Sequence, residues 1–153
     1  MRHIDNNNGT ITDTATGLMW QESYAYAETG NYLNWYEANE YANKLNNTAL
    51  GGHSDWRLPN KLEIQSLYEI SHTFESNGKT YTLHIDPIFE FGYGSCFWTN
   101  KTRMSAALGF EFDAGDIHWY PQASASGTVR GVRLNMNQFK LLRYFQEDKN
   151  HVG

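Results

Sequence analysis

The apolar residues of this 153-residue chain change their spacing part-way along, and that change limits the folds open to it. Between about residues 35 and 68 they recur at helical intervals, and from Cys96 onward they alternate. Trp35, Ala38, Ala42 and Leu45 share one face of a predicted helix over 35–45, with Asn34 at the N-cap and Glu37 three residues on. The stretch 55–59, Asp-Trp-Arg-Leu-Pro, is predicted to be extended, because residues before proline avoid the α region. Asn60 and Glu63 repeat the capping pattern and open a second helix that turns Ile64, Leu67 and Tyr68 inward. Later, Leu108, Phe110 and Phe112 alternate with small or acidic residues, 113–116 reads as a turn, and 117–120 resumes as a strand. Residues 128–134 read as one further strand, and 10–12 with 18–20 as a hairpin following a polar turn at 5–9. Early helices and later strands together predict an α+β chain.

Length and charge set the remaining bounds. A chain of this size buries roughly two thirds of its unfolded surface in one core, so one domain is expected over 1–134, followed by an extension at 135–153 that is predicted to be helical and to dock on the body or a partner. A net charge of -5 without a Lys/Arg cluster excludes a nucleic-acid partner, and no stretch has the roughly 18 apolar residues of a membrane span. Cys96 is the sole cysteine, which excludes an internal disulfide and a multi-cysteine zinc site. The start, Met-Arg-His-Ile, lacks the apolar stretch of a secretory leader, so the chain either stays inside the cell or represents a form that has lost its leader.

Several segments together resemble one bacterial family, the C-terminal domain of the Legionella collagen-like adhesin. They are Asp-Asn-Asn-Asn-Gly-Thr-Ile-Thr-Asp-Thr-Ala-Thr-Gly-Leu-Met-Trp at 5–20, the Gly-Gly-His-Ser-Asp-Trp-Arg-Leu-Pro run at 51–59 with the helix after it, Phe-Trp-Thr at 97–99, and Val-Arg-Gly-Val-Arg at 129–133. The resemblance implies a C-type-lectin-like α+β fold, with two helices around a twisted, mostly antiparallel sheet and long loops that carry ligand contacts. It also implies an exported or cell-surface adhesion module, one tip of a homotrimer on a stalk; the missing leader and disulfide leave a cytoplasmic location as the alternative. Members of that family often carry a pair of cysteines that resemble a disulfide where this chain has Ala42 and Gly131. Such a bridge contributes about 3–5 kcal/mol in the chain-entropy model, so aromatic packing has to compensate here.

Trp20, Trp35, Trp56 and Arg57 are assigned to the scaffold, with Arg57 satisfied through Asp55. Ligand-binding candidates lie where aromatic and amide residues coincide with turns: Tyr93 between glycines, Trp98, Asn100, Asp113, Asp116, Trp119 and Tyr120. Rings cover the C–H faces of sugars while amides and carboxylates pair with hydroxyls. Trp119 has a second reading, as an inward strand residue beside Ile117. The run 98–100, Trp-Thr-Asn, is similar to the Trp-Asn-Asp calcium motif of sugar-binding C-type lectins but lacks the Asp, and no Glu-Pro-Asn partner exists. No cofactor or metal is therefore expected, apart from a weak contribution from Asp113 and Asp116.

A glycan or other surface polymer is the expected partner, and a neutral one, unless Arg103, Arg130 and Arg133 cluster to attract a polyanion. An assembly subunit using 138–145 as its interface is the second expectation. An enzyme on a scaffold similar to formylglycine-generating enzymes is the third. That chemistry uses two cysteines, and a lone Cys in Gly-Ser-Cys-Phe-Trp is expected to be a buried packing residue. The six histidines show no HExxH spacing, and no catalytic residues are assigned.

Overall fold

A computed structural model describes residues 1–69, 72–92 and 96–135, with Gln146 beyond them. The first part of the chain carries strands β1 (His3–Asp5), β2 (Thr10–Asp13) and β3 (Leu18–Gln21), then helices α1 (Ala25–Thr29), α2 (Trp35–Asn47) and α3 (Lys61–Gln65). A hairpin of β4 (His72–Ser76) and β5 (Lys79–Leu83) follows. The second part holds β6 (Cys96–Arg103), β7 (Ala106–Glu111), β8 (Asp116–Pro121), β9 (Gly127–Thr128) and β10 (Val132–Leu134). These form one four-stranded sheet in the order β1-β2-β3-β10 and another in the order β8-β7-β6-β9. Every pairing is antiparallel except β6 with β9, so the chain is α+β with few helices.

The expected hairpins form where alternation placed them: Ile11 opposes Trp20, and Leu108 opposes Trp119. Both predicted helices start at their capping residues. Asn34 accepts the amide of Glu37 at 2.8 Å and Asn60 that of Glu63 at 2.8 Å, each Glu returning the bond to the cap amide. The second helix is shorter than its apolar pattern suggests, ending at Gln65, with fully buried Leu67 just past it. Helix α1 and the β4–β5 hairpin were not legible in the pattern, since neither carries a sustained apolar period.

The strand expected over 128–134 is instead two short strands in different sheets. Residues 129–131 cross between them, because β9 pairs parallel to β6 while β10 pairs antiparallel to β3. This crossing is held on all sides: Ala25 N–H donates to Val129 O, Gln21 N–H to Gly131 O, and Arg57 and Val132 exchange backbone bonds at 3.0 Å. Gly127 is required where β9 meets β6, since a Cβ there would stand 2.6 Å from the Trp98 ring nitrogen.

Arg130, 1% exposed, lies within the crossing. Its guanidinium donates to the carbonyls of Gln21 (3.0 Å), Ser23 (2.9 Å), Glu90 (2.6 Å) and Glu22. The rings of Phe89, Tyr24 and Phe97 surround it at 4.9, 5.4 and 5.9 Å. Burial pulls its pKa down to about 9, which leaves it charged at neutral pH. Carbonyl dipoles and aromatic faces thus replace the carboxylate that a buried cation ordinarily needs.

Two apolar clusters flank the central strands. Leu18, Trp20 and Phe97 join one with Ile64, Phe110 and Phe112; Met19 and Trp98 join the other with Ala38, Leu45 and Trp56. Strand β3 and the first half of β6 are therefore buried on both faces. Trp20, Trp56 and the partly buried Trp35 are scaffold, as expected. Arg57 instead pairs bidentately with buried Glu63 at 2.7 and 2.8 Å, while Asp55 takes Arg133 at 2.6 Å. One turn along α2 from Ala42, Leu45 fills the space beside Gly131, where a Cβ would lie 2.7 Å from its Cδ1. Side-chain packing stands where the family's implied bridge would be.

Replacing Arg130 by Ala removes the guanidinium from four carbonyls, of which Glu22 O keeps the Glu90 N–H at 3.1 Å, so urea denaturation is expected to show a loss of about 3 kcal/mol or more. Arg130→Lys is expected to lose about 1–3 kcal/mol, since a compact ammonium cannot reach both chain segments. A loss under about 1 kcal/mol for the Ala variant contradicts this role. Burial raises the Cys96 thiol to about 12. Cys96 is accordingly expected to resist a thiol reagent in native buffer and to react fully in denaturant; rapid native labelling contradicts its buried placement.

Candidate functional site

Strand β6 is buried along its first half and exposed along its second, and the change coincides with a bulge. Its pairing with β7 is regular at Phe97 and Trp98, shifts, and resumes at Thr102. Within the bulge Thr99 turns inward and its hydroxyl donates to Leu108 O at 2.9 Å. Asn100 faces outward, and its backbone N–H crosses to Pro59 O at 2.9 Å. Bulges of this kind re-aim side chains at the cost of a ladder bond. Here the diverted bond fastens β6 to the start of α3.

The junction forms a groove of about 470 Å³ lined by Asn60, Lys61, Leu62, Asn100 and Lys101. Leu62 is 46% exposed and supplies the apolar part of the wall. Asn60 Oδ1 is committed to its cap, while no described side chain partners the Asn100 amide. Two ammonium groups, an open amide and an exposed isobutyl group therefore share one concavity. That combination fits a ligand with hydroxyl or carboxylate groups on an apolar frame.

Of the ligand-binding candidates singled out in the sequence, Asn100 alone among the described residues belongs to this groove. Tyr93 lies outside the described residues, as does the expected interface at 138–145. Trp98 is fully buried and cannot form a ligand platform: its ring N–H donates to Leu33 O at 2.9 Å and its ring meets Tyr120 edge-on at 5.9 Å. Tyr120 is likewise committed, packing on the second cluster with its hydroxyl bonded to Glu111. Burial and that carboxylate both push its phenol pKa upward. Trp119 is half-buried, with the Arg103 guanidinium 4.4 Å above its ring, so its own chain covers one face of the indole. Asp113 and Asp116 are exposed at the β7–β8 turn. His118 Nε2 lies 3.9 Å from Glu111 Oε2.

The three arginines do not cluster. Arg103 covers Trp119, Arg130 is buried and Arg133 pairs with Asp55. The positive charge at the groove comes from Lys61 and Lys101, which sequence reasoning missed. Asn60 was legible only as a cap, and no local signal joins it to Asn100 forty residues away. Among the described residues one group has metal-ligand composition: His3, Glu69 and Asp86 each place a donor atom within 4.8 Å of the others. None of the three lines the groove. No helix among the described residues is long and apolar enough to cross a membrane.

No curated protein and no solved structure matches the chain. The model of the Lcl C-terminal domain matches residues 9–133, a span that includes the hairpin of β2 and β3, the capped start of α3, the bulged strand β6 and the Arg130 crossing. The chain belongs to the Lcl C-terminal domain family.

Proposed function

We propose that this chain is a non-enzymatic recognition and adhesion module of C-type-lectin-like type that binds a glycan or other surface polymer in the groove between α3 and β6. The observation that carries this reading is the bulge at 99–101, which interrupts a buried strand to present Asn100 and Lys101 opposite Asn60, Lys61 and Leu62. Membership of an adhesin-named family supports an adhesive role. An α+β body with antiparallel sheets suits a lectin-like scaffold.

Amide and ammonium donors pair with sugar hydroxyls and carboxylates, and Leu62 meets a C–H face. Such contacts are individually weak, so affinity would come from repeated engagement, which suits a trimer displayed at the cell surface. The overall charge of -5 disfavours a dense polyanion, whereas the two groove lysines accommodate a neutral or sparsely acidic saccharide.

A glycan array followed by calorimetry on the strongest hit tests this. The variant Asn100→Ala/Lys101→Ser is expected to weaken binding by about tenfold or more, because it removes the groove's central donors. Its melting temperature should remain within about 2 °C of the parent, since both side chains are exposed. Trp119→Ala is expected to leave the affinity nearly unchanged. Undiminished binding by the groove variant contradicts the site. A chain that binds no glycan and assembles only when residues 136–153 are present contradicts the function and supports an assembly role.

A further inference from the structure

His3 is the first residue of β1, directly opposite Asp13 on β2, and is only 1% exposed. Its Nδ1 lies 2.9 Å from Asp86 Oδ2 and its Nε2 lies 3.8 Å from Asp13 Oδ2. Each ring nitrogen therefore faces a carboxylate, and a neutral imidazole carries one proton. If the proton is on Nδ1, the buried Nε2 lone pair is turned toward Asp13; Nε2 has no hydrogen-bond partner. If the proton is on Nε2, the Nδ1 lone pair meets the Asp86 carboxylate. A cation between Nδ1 and Asp86 resolves the second arrangement.

The surroundings supply the remaining donors. Glu69 completes the group with His3 and Asp86, and His72 Nε2 lies 2.7 Å from Glu69 Oε2. Asp13 is held by Arg2 through two hydrogen bonds of 2.9 and 2.8 Å, so its charge is already balanced. Glu69 and Asp86 remain as two negative charges beside two imidazoles. Tetrahedral zinc, with bonds of about 2.0–2.2 Å, places its ligands about 3.3 Å apart, so the His3–Asp86 pair at 2.9 Å opens by a few tenths of an ångström and the other pairs, within 4.8 Å, close by at most about 1.5 Å. Asp13 then stands where a metal-bound histidine commonly finds the carboxylate that orients its far N–H.

We infer that His3 Nδ1, Glu69 and Asp86 form a three-ligand site for a divalent transition-metal ion, with Zn2+ the best match, and that this ion acts as a clasp. It joins β1, the segment after α3 and the loop after β5, with His72 at the start of β4 beside Glu69. Mixed nitrogen and oxygen donors favour zinc over calcium, which takes about six to eight oxygens. Asp86, Glu69 and His72 each retain partial exposure, which gives the ion a route from solvent. The clasp is independent of the groove reading, because it shares no residue with it.

The test uses tag-free full-length protein, stripped with a chelator and dialysed, then titrated calorimetrically with ZnCl2 and, separately, CaCl2. Zinc is expected to bind one ion per chain at micromolar affinity or better and to raise the melting temperature by about 5 °C or more at saturation. Calcium is expected to do neither. Glu69→Gln and Asp86→Asn are each expected to weaken zinc binding about tenfold or more, while the metal-free variants remain folded and melt within about 5 °C of the stripped parent, because each amide keeps an oxygen that accepts the hydrogen bonds of the carboxylate it replaces. Nitrogen-15 NMR should show His3 changing to the Nε2–H form on addition of zinc. Absence of stoichiometric zinc binding, binding that survives both substitutions, or His3 ring signals unchanged by saturating zinc overturns the site.

Discussion

The buried guanidinium of Arg130 is the interaction on which the remaining structure depends. Strands β9 and β10 belong to different sheets, and only three residues separate them. Within that distance the chain crosses the middle of the molecule, where an unsatisfied polar group is costly. Arg130 gathers four carbonyls from the two segments that flank the crossing, and Gln21 adds a side-chain bridge from Gly131 N–H to the Tyr41 hydroxyl. These bonds end β3 at a fixed point and lead the chain into α1. A charged residue is thus placed at the centre without a carboxylate partner, held by dipoles and three aromatic rings.

Around this clamp the aromatic residues divide the interior into two clusters, one on each side of β3 and β6. That division explains why the bulge in β6 matters. Before it, Phe97 and Trp98 serve opposite clusters; after it, the strand leaves the interior and turns amide and ammonium groups outward. The same strand therefore supplies both core and groove. A rigid body anchored by Trp98, with its ring N–H on Leu33, holds Asn100 in place two residues later.

Local chemistry was legible in the sequence and long-range pairing was not. Capping residues Asn34 and Asn60 marked both main helix starts, and alternation at 108–112 marked the β7–β8 hairpin, because these signals act within a few residues. Residues 128–134 look like one strand since Val and Thr favour extended backbone wherever they pair; the switch of partner sheet leaves no trace in that composition. Trp98 and Tyr120 resembled a binding platform because aromatics near turns have the same local appearance whether they face solvent or core. Lys61 and Lys101 escaped attention because surface lysines are common and only the fold brings these two together. His3 and Asp86, 83 residues apart, met through the same kind of long-range closure.

Hydrogen–deuterium exchange of the unmodified chain tests the central role of the Arg130 crossing most directly. The amides of Gln21, Ala25, Gly131 and Val132 are bonded across it. They are expected to exchange only through global unfolding, at the same slow rate as Phe97 and Phe110 in the β6–β7 pair. If those four amides exchange through local opening while β6 and β7 stay protected, the crossing is a peripheral connection and the two sheets hold together without it.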